Sequence, residues 1–132
     1  MIDFAEIRRS CDGMMRPDVY EAIYNAAKGA PDGLFVEIGT AHGASTVCIG
    51  LAAQERGLKV QTFDSFRAGG RANYGDASEN ERIATANIAR YGLSGRIAAW
   101  TNLETTAAYK PGDTSALDAV LAEAACALAG QG

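Results

Sequence analysis

The sequence predicts an α/β fold with a parallel sheet and flanking helices, and residues 34–63 carry the clearest evidence for it. Residues 34–38 are a short, mainly apolar run without clean alternation, which is typical of a strand buried on both faces of a parallel sheet. A glycine turn over 39–43, a helical pattern over 44–56 and a second predicted strand over 59–63 follow. Strand, turn, helix and strand within about thirty residues make one βαβ unit, whose right-handed crossover leaves its two strands parallel.

Two helices are predicted before the first strand. Residues 3–9 suit a short helix. Pro17 begins a longer one, because proline tolerates the first helical turn, where its missing N–H is not needed. Gly29 and Pro31 end that helix. Residues 1–33 are therefore interpreted as an N-terminal helical cap within a single domain.

A further helix and a third strand are predicted after a glycine-rich loop. Ser78 is the expected cap of this helix, with Glu81 three residues later completing a capping box, and the helix runs to about Tyr91. Residues 96–100 suit a third strand. Residues 34–105 thus form a βαβαβ core.

The tail, residues 106–132, allows two interpretations. Residues 117–121 could add a fourth strand, which the fold favours. Alternatively, Ser115 caps an alanine-rich helix that has Asp118 in the capping-box position, and the high helix propensity of alanine favours this reading. The sequence leaves both alternatives open.

The composition of the chain excludes several classes of protein. The net charge of −4 and the absence of a basic stripe argue against nucleic acid as a partner. No apolar run approaches the ~18 residues of a membrane span, and the N-terminus resembles no signal peptide. Three widely spaced cysteines without a Cys/His cluster suit free thiols in a reducing cytosol. We therefore expect a cytoplasmic protein with a small-molecule ligand.

The candidate site is the turn after the first strand. Gly39 and Gly43 suit a tight turn that a ligand approaches closely, because glycine has no Cβ and tolerates positive φ. The following helix begins with unpaired N–H groups and the positive end of its dipole, which favour a carboxylate or phosphate. Asp64 ends the neighbouring strand about twenty residues later, where a carboxylate can accept hydrogen bonds from two ribose hydroxyls.

The glycine spacing distinguishes two classes of ligand. A dinucleotide site has the pattern G-x-G-x-x-G. Aligned on Gly39, its second and third positions hold Ala41 and Ala44. Glu37 would also place a negative charge beside a pyrophosphate. A cofactor that carries an amino group and a sulfonium suits this carboxylate better, which disfavours an NAD-dependent oxidoreductase fragment.

Residues 35–46, Phe-Val-Glu-Ile-Gly-Thr-Ala-His-Gly-Ala-Ser-Thr, resemble the first motif of class I S-adenosylmethionine-dependent methyltransferases. They are most similar to the small-molecule O-methyltransferase-like branch, which uses E-x-G-x-x-x-G-x-S. Residues 62–66 resemble the family's second motif, and residues 87–97 resemble the segment that enters its third strand. The likeness covers roughly residues 17–105. It implies a Rossmann-like, doubly wound parallel sheet, which is partial here because only three to four of the family's strands are recognised. It also implies that the methyl acceptor is a small molecule.

The resemblance implies contacts with each part of the cofactor S-adenosylmethionine. Glu37 would lie near its amino group, directly or through water, and Asp64 would hold the ribose. Ser65 or Phe66 would border the adenine on one side, and Asn102 or Leu103 on the other. The methionine part would be wrapped by the glycine turn and the start of the next helix, that is, by Gly39, Thr40, Ala41, Gly43, Ser45 and Thr46.

No catalytic residue and no metal ligand is assigned from the sequence. His42 is the only histidine and lies inside the cofactor turn, so it is interpreted as a loop residue rather than a general base. Asp76, Glu79 and Glu81 are interpreted as charges favoured at the start of a helix, not as metal ligands.

The resemblance also implies a domain with more strands than the sequence pattern shows. Family members usually have a fourth strand ending in an acidic residue, so the domain is predicted to be truncated or altered near residue 118. Without that strand, residues 34–38 would form an apolar edge strand, which favours pairing with a second copy. Three hypotheses stay open: a methyltransferase domain acting on a small molecule, a non-catalytic module that binds S-adenosylmethionine, S-adenosylhomocysteine or a partner, and an NAD-dependent oxidoreductase fragment.

Overall fold

The computed structural model describes residues 1–67 and 74–100, together with Asp118, Leu121, Ala122, Ala125, Cys126 and Ala129. The α/β class and the parallel sheet are confirmed in these residues. Four helices and three strands are described, in the order α1 (Phe4–Ser10), α2 (Pro17–Gly29), β1 (Phe35–Ile38), α3 (Ala44–Arg56), β2 (Val60–Phe63), α4 (Ala77–Arg90) and β3 (Ile97–Trp100).

The three strands are parallel and lie in the order β1-β2-β3. Ile38 at the end of β1 is level with Phe63 at the end of β2, and Phe63 is level with Trp100 at the end of β3. The carboxyl ends of the strands therefore meet at one edge of the sheet. The Gly39 N–H donates to the Phe63 carbonyl oxygen at 2.7 Å, which joins the turn after β1 to the end of β2.

The prediction that the first strand is buried on both faces is wrong for the part of the chain that the structure describes. Val36 is 45% exposed, whereas its neighbour Glu37 faces the interior. The physical reason lies in the topology. The strands follow one another across the sheet in the order β1-β2-β3, so both crossover connections move across the sheet in the same direction. Right-handed crossovers of this kind place α3 and α4 on the same face of the sheet.

The core is built around α3, which packs against α2, β1 and β2. Val47, Cys48 and Ala52 on this helix are completely buried. The N-terminal helices α1 and α2 pack on each other and on α3. Pro17 occupies the start of α2, as the sequence predicts.

The N-terminal cap of α4 differs from the prediction. Asp76 is the capping residue, and its carboxylate accepts the Glu79 backbone N–H at 2.9 Å. The expected cap at Ser78 and the capping box with Glu81 are wrong, because Ser78 lies inside the first helical turn. Aspartate and serine are about equally good caps, so the pattern alone does not choose between two residues this close together.

Removal of the Asp76 cap is expected to cost far more than removal of the Ser78 hydroxyl. We expect Asp76→Ala to lower the free energy of unfolding by about 1 kcal/mol, because one backbone N–H of the first turn loses its acceptor. Ser78→Ala is expected to change it by less than about 0.5 kcal/mol, as for an ordinary surface substitution. Urea denaturation of both variants measures the difference, and equal losses would contradict the assignment of the cap.

The described residues of the tail are helical and exposed. They are Asp118, Leu121, Ala122, Ala125, Cys126 and Ala129. Of the two interpretations of this segment, the helix is therefore confirmed at these positions, and the strand over 117–121 is wrong for Asp118 and Leu121. Asn102, Leu103 and residues 68–73 lie outside the described residues. Among the helices that the structure describes, none is long and apolar enough to cross a membrane.

Candidate functional site

A cavity of about 420 Å³ opens at the carboxyl ends of β1 and β2. Such a volume is within the range of small-molecule sites. Three segments form most of its wall: the turn after β1, the segment after β2, and the turn between α1 and α2. The residues that line it are Cys11, Asp12, Gly13, Met14, Met15, Tyr20, Gly39, Thr40, Ala41, His42, Ala44, Ser45, Asp64, Phe66, Arg67, Tyr74 and Asn80.

The turn after β1 has the backbone that its glycines predict. Gly39 and Gly43 have φ values of 98° and 95°, which glycine adopts without steric cost. Ala41 between them has a φ of 51°, an uncommon value for a residue with a Cβ. The Gly43 N–H donates to the Thr40 carbonyl at 2.9 Å and closes the turn. The helix α3 then begins at Ala44 without a side-chain cap.

Asp64 joins the two predicted halves of the site. Its Oδ2 accepts the Ala41 backbone N–H at 2.7 Å, and its Oδ1 accepts the Phe66 N–H at 2.8 Å. Phe66 also has a positive φ, of 59°, so one carboxylate holds two residues in an uncommon backbone conformation. An ionised carboxylate has about four lone-pair positions. Asp64 therefore keeps capacity to accept further hydrogen bonds from a ligand in the cavity.

Glu37 is buried behind the wall of the cavity. It is 8% exposed, and its carboxylate accepts hydrogen bonds from three hydroxyls: Ser45 at 2.7 Å, Thr62 at 2.7 Å, and Thr46. Burial raises the pKa of Glu37, the three hydroxyls oppose this rise, and the nearby charge of Asp64 adds to it. Glu37 does not line the cavity itself, whereas Ser45 does. The Ser45 hydroxyl therefore connects this carboxylate to the ligand side.

Thr62 is a member of the site that the sequence analysis missed. It lies directly opposite Glu37 in the register of β1 and β2. Because Thr62 donates its proton to Glu37, the hydrogen bond between the hydroxyls of Thr40 and Thr62 has Thr40 as its donor. The parallel register that places Thr62 directly across from Glu37 is the signal that could have found it, because side chains opposite each other on neighbouring strands interact.

His42 lies in the turn, as predicted, but it is a buried side chain with fixed partners. It is 4% exposed, and its Nε2 lies 3.1 Å from Asn80 Oδ1. The Asn80 amide nitrogen donates to the carbonyls of Phe66 and Gly75 at 2.7 and 3.0 Å, which identifies Oδ1 as the acceptor atom. His42 Nε2 therefore carries a proton, and in the neutral ring Nδ1 has a bare lone pair.

The turn between α1 and α2, residues 11–15, was also missed. Its Asp12 has a φ of 51° and brings Oδ2 to 3.7 Å from His42 Nδ1. The signal for a turn here is the Asp12-Gly13 pair between two helical segments. Its position over the cavity could not be inferred, because it depends on how the N-terminal helices pack on α3.

The remaining predicted site residues have different positions. Gly43 shapes the turn without lining the cavity, Ser65 does not line it, and Asn102 lies outside the described residues.

Cys11 and Cys48 are buried free thiols, and burial raises the pKa of Cys48 to about 12. Such thiols are poor nucleophiles. Within residues 1–67 and 74–100, no three His, Cys, Asp or Glu side chains are placed to hold a metal ion.

The structure defines an α/β protein with a cavity at the carboxyl ends of parallel strands, where ligands usually lie in such sheets. The chain matches no family model and no curated protein with which it was compared.

Proposed function

We propose that the chain binds S-adenosylmethionine as the cofactor-binding part of a Rossmann-like class I methyltransferase that acts on a small molecule. One observation carries the proposal. Asp64 at the end of β2 lines the same cavity as the positive-φ turn at Gly39 and holds that turn through Ala41. This is the arrangement in which a carboxylate receives ribose hydroxyls beside a glycine turn.

The charges around the cavity favour this cofactor over a dinucleotide. Among the described residues that line the wall, Asp12 and Asp64 are acidic, and Arg67 is the one Lys or Arg. S-adenosylmethionine carries a sulfonium, an ammonium and a carboxylate, so its net charge is positive and complements such a wall. NAD carries a negatively charged pyrophosphate, which such a wall repels.

The start of α3 gives a second argument against a dinucleotide. A pyrophosphate normally lies at the N-terminus of the first helix. Here the Glu37 carboxylate already accepts hydrogen bonds from Ser45 and Thr46 in the first turn of α3. A phosphate group at this place would meet a buried carboxylate, whereas an ammonium group would be attracted to it.

In the proposed complex, the residues of this chain bind and orient the cofactor. Asp64 accepts the ribose hydroxyls, the backbone of the turn at Gly39 surrounds the methionine part, and Ser45 presents its hydroxyl there. The cofactor supplies an activated methyl group when it is bound. Correct alignment of that group with the acceptor is the chief catalytic effect in such a transfer.

Calorimetric titration of the whole chain tests the proposal. We expect saturable binding of S-adenosylmethionine and S-adenosylhomocysteine. NAD⁺, which contains the same adenosine, is the matched control ligand and should bind at least tenfold more weakly, a difference of about 1.4 kcal/mol. Tighter binding of NAD⁺ would revive the oxidoreductase alternative. A folded chain that binds none of the three would refute the cofactor assignment.

A further inference from the structure

We infer that Met14 and Met15, in the turn between α1 and α2, form a binding surface for an uncharged apolar molecule. Under the proposed function, that molecule is the methyl acceptor, and this identification rests on the proposed function. The binding surface itself does not, because it depends only on the wall of the cavity in this chain.

The wall of the cavity has two parts. The residues proposed to hold the cofactor come from the turn after β1 and the segment after β2, where Gly39 and Asp64 lie. The other part is formed by residues 11–15 and by Tyr20 in α2, and the proposed cofactor contacts use none of these residues. Both parts enclose one cavity, so a molecule bound to the second part lies beside a cofactor bound to the first.

Met14 and Met15 present apolar surface on this second part of the wall. Both line the cavity and yet stay 54% and 37% exposed, whereas Tyr20 is only 2% exposed. A ligand that covers exposed apolar surface removes it from water, which favours binding. Methionine suits such a contact, because its unbranched and polarizable side chain adapts to the shape of an apolar ligand.

The backbone of the turn holds the two methionines in place. The Gly13 N–H donates to the Arg8 carbonyl at 2.7 Å. The Met15 carbonyl accepts the Arg8 Nε–H at 2.9 Å, and the Met15 N–H donates to the Tyr20 hydroxyl at 3.3 Å. Gly13 also lies against the Tyr20 ring, where a Cβ would be only 2.5 Å from the hydroxyl oxygen. A backbone that is already fixed lowers the cost of ordering the site when a ligand binds.

The charges around the cavity determine which apolar molecules fit. The described part of the wall carries two carboxylates, Asp12 and Asp64, against one cation, Arg67. An anionic molecule is therefore repelled by the wall. A cationic molecule is repelled once S-adenosylmethionine is bound, because this cofactor has a net positive charge. The surface therefore favours an uncharged apolar molecule in the cofactor-loaded chain.

Nuclear magnetic resonance of the methionine methyl groups tests the binding surface. The chain has three methionines, so ¹³C-methyl labelling gives three signals, and Met1, which is fully exposed and does not line the cavity, is the internal control. The probe is indole, whose ring current shifts the signals of nearby methyl groups. We expect saturable shifts at Met14 and Met15 and none at Met1, both in the free chain and with S-adenosylmethionine.

Charged probes with the same ring test the predicted selectivity. Indole-3-acetate, which is anionic, should bind about tenfold more weakly than indole, a difference of about 1.4 kcal/mol. Tryptamine, which is cationic, should bind more weakly than indole in the chain loaded with S-adenosylmethionine. Equal affinities of the three probes would overturn the assignment to an uncharged molecule.

Matched variants complete the test. The double variant Met14→Gln/Met15→Gln keeps two unbranched side chains but makes their ends polar, and its affinity for indole should fall about tenfold. Val19→Thr changes an exposed apolar residue that does not line the cavity, and it should bind indole like the wild type. Equal indole affinity of the double variant and the wild type, or shifts no larger than those of Met1, overturns the binding surface. Indole shifts in a chain that does not bind S-adenosylmethionine refute only the proposed function.

Discussion

Replacing Asp64 with alanine is expected to weaken S-adenosylhomocysteine binding by more than about tenfold, or about 1.4 kcal/mol. Two losses act together. The ligand loses the acceptor for its ribose hydroxyls, and the backbone N–H groups of Ala41 and Phe66 lose the carboxylate that holds them. Both residues have positive φ values, so the turn is expected to relax away from its binding conformation. Calorimetry on the purified variant measures the change.

Matched variants separate these two contributions. Ala41→Gly in the Asp64→Ala background removes the backbone strain at position 41 without restoring the ribose acceptor. We expect affinity to stay low in the double variant, which would identify a direct contact with the ligand. Asp32→Ala removes an exposed carboxylate that pairs with Arg56 and should bind like the wild type. Unchanged affinity of the folded Asp64→Ala variant would contradict the proposed site.

Replacing Glu37 with alanine is expected to lower the free energy of unfolding by about 3 kcal/mol. Three hydroxyl donors lose their acceptor at once, and a void opens between β1 and α3. Urea denaturation measures this loss. Glu55→Ala, at an exposed carboxylate that pairs with Lys28, is the control and should cost much less, because exposed ion pairs contribute little to stability. Equal losses in the two variants would contradict the structural role of Glu37.

The pH dependence of stability should also identify Glu37. Burial raises its pKa in the folded chain above the ordinary value of 4.5. The folded chain therefore binds a proton at this group more readily than the unfolded chain does. The stability contributed by this group is present below the ordinary value and is lost as the pH rises through the raised pKa. Glu37→Gln cannot ionise. The unfolding free energy of the wild type relative to this variant should therefore fall as the pH rises from 4.5 toward neutrality, and a rise would contradict the direction of the shift.

The sequence predicts the elements that local patterns define. Helix α3 has the predicted bounds, and the meeting of the glycine turn with Asp64 follows from parallel strands that end at one edge. Residues that depend on distant packing were not predictable. Asp12 reaches His42 because α1 and α2 fold back onto α3, and no local pattern encodes that path. The exposure of Val36 likewise depends on which face of the sheet the helices cover.

The surroundings of the Glu37 and His42 side chains likewise could not be predicted from the sequence. A glutamate at the end of a strand could face a ligand or the interior, and only the positions of Ser45 and Thr62 decide that it faces inward. For His42, the tautomer depends on Asn80, which lies 38 residues away in the chain. Sequence patterns locate the turn, whereas the proton on each ring nitrogen depends on tertiary contacts.

The position at which S-adenosylhomocysteine binds tests the proposed cofactor site most directly. Backbone amide resonances of the labelled chain should be followed during a titration with S-adenosylhomocysteine. We expect the largest shifts at Gly39, Ala41 and Ser45 around the cavity, with little change at Arg82 and Thr85, which line a separate groove on α4. Shifts confined to the α4 groove, or none at a saturating ligand concentration, would contradict the assignment of this cavity as the cofactor site.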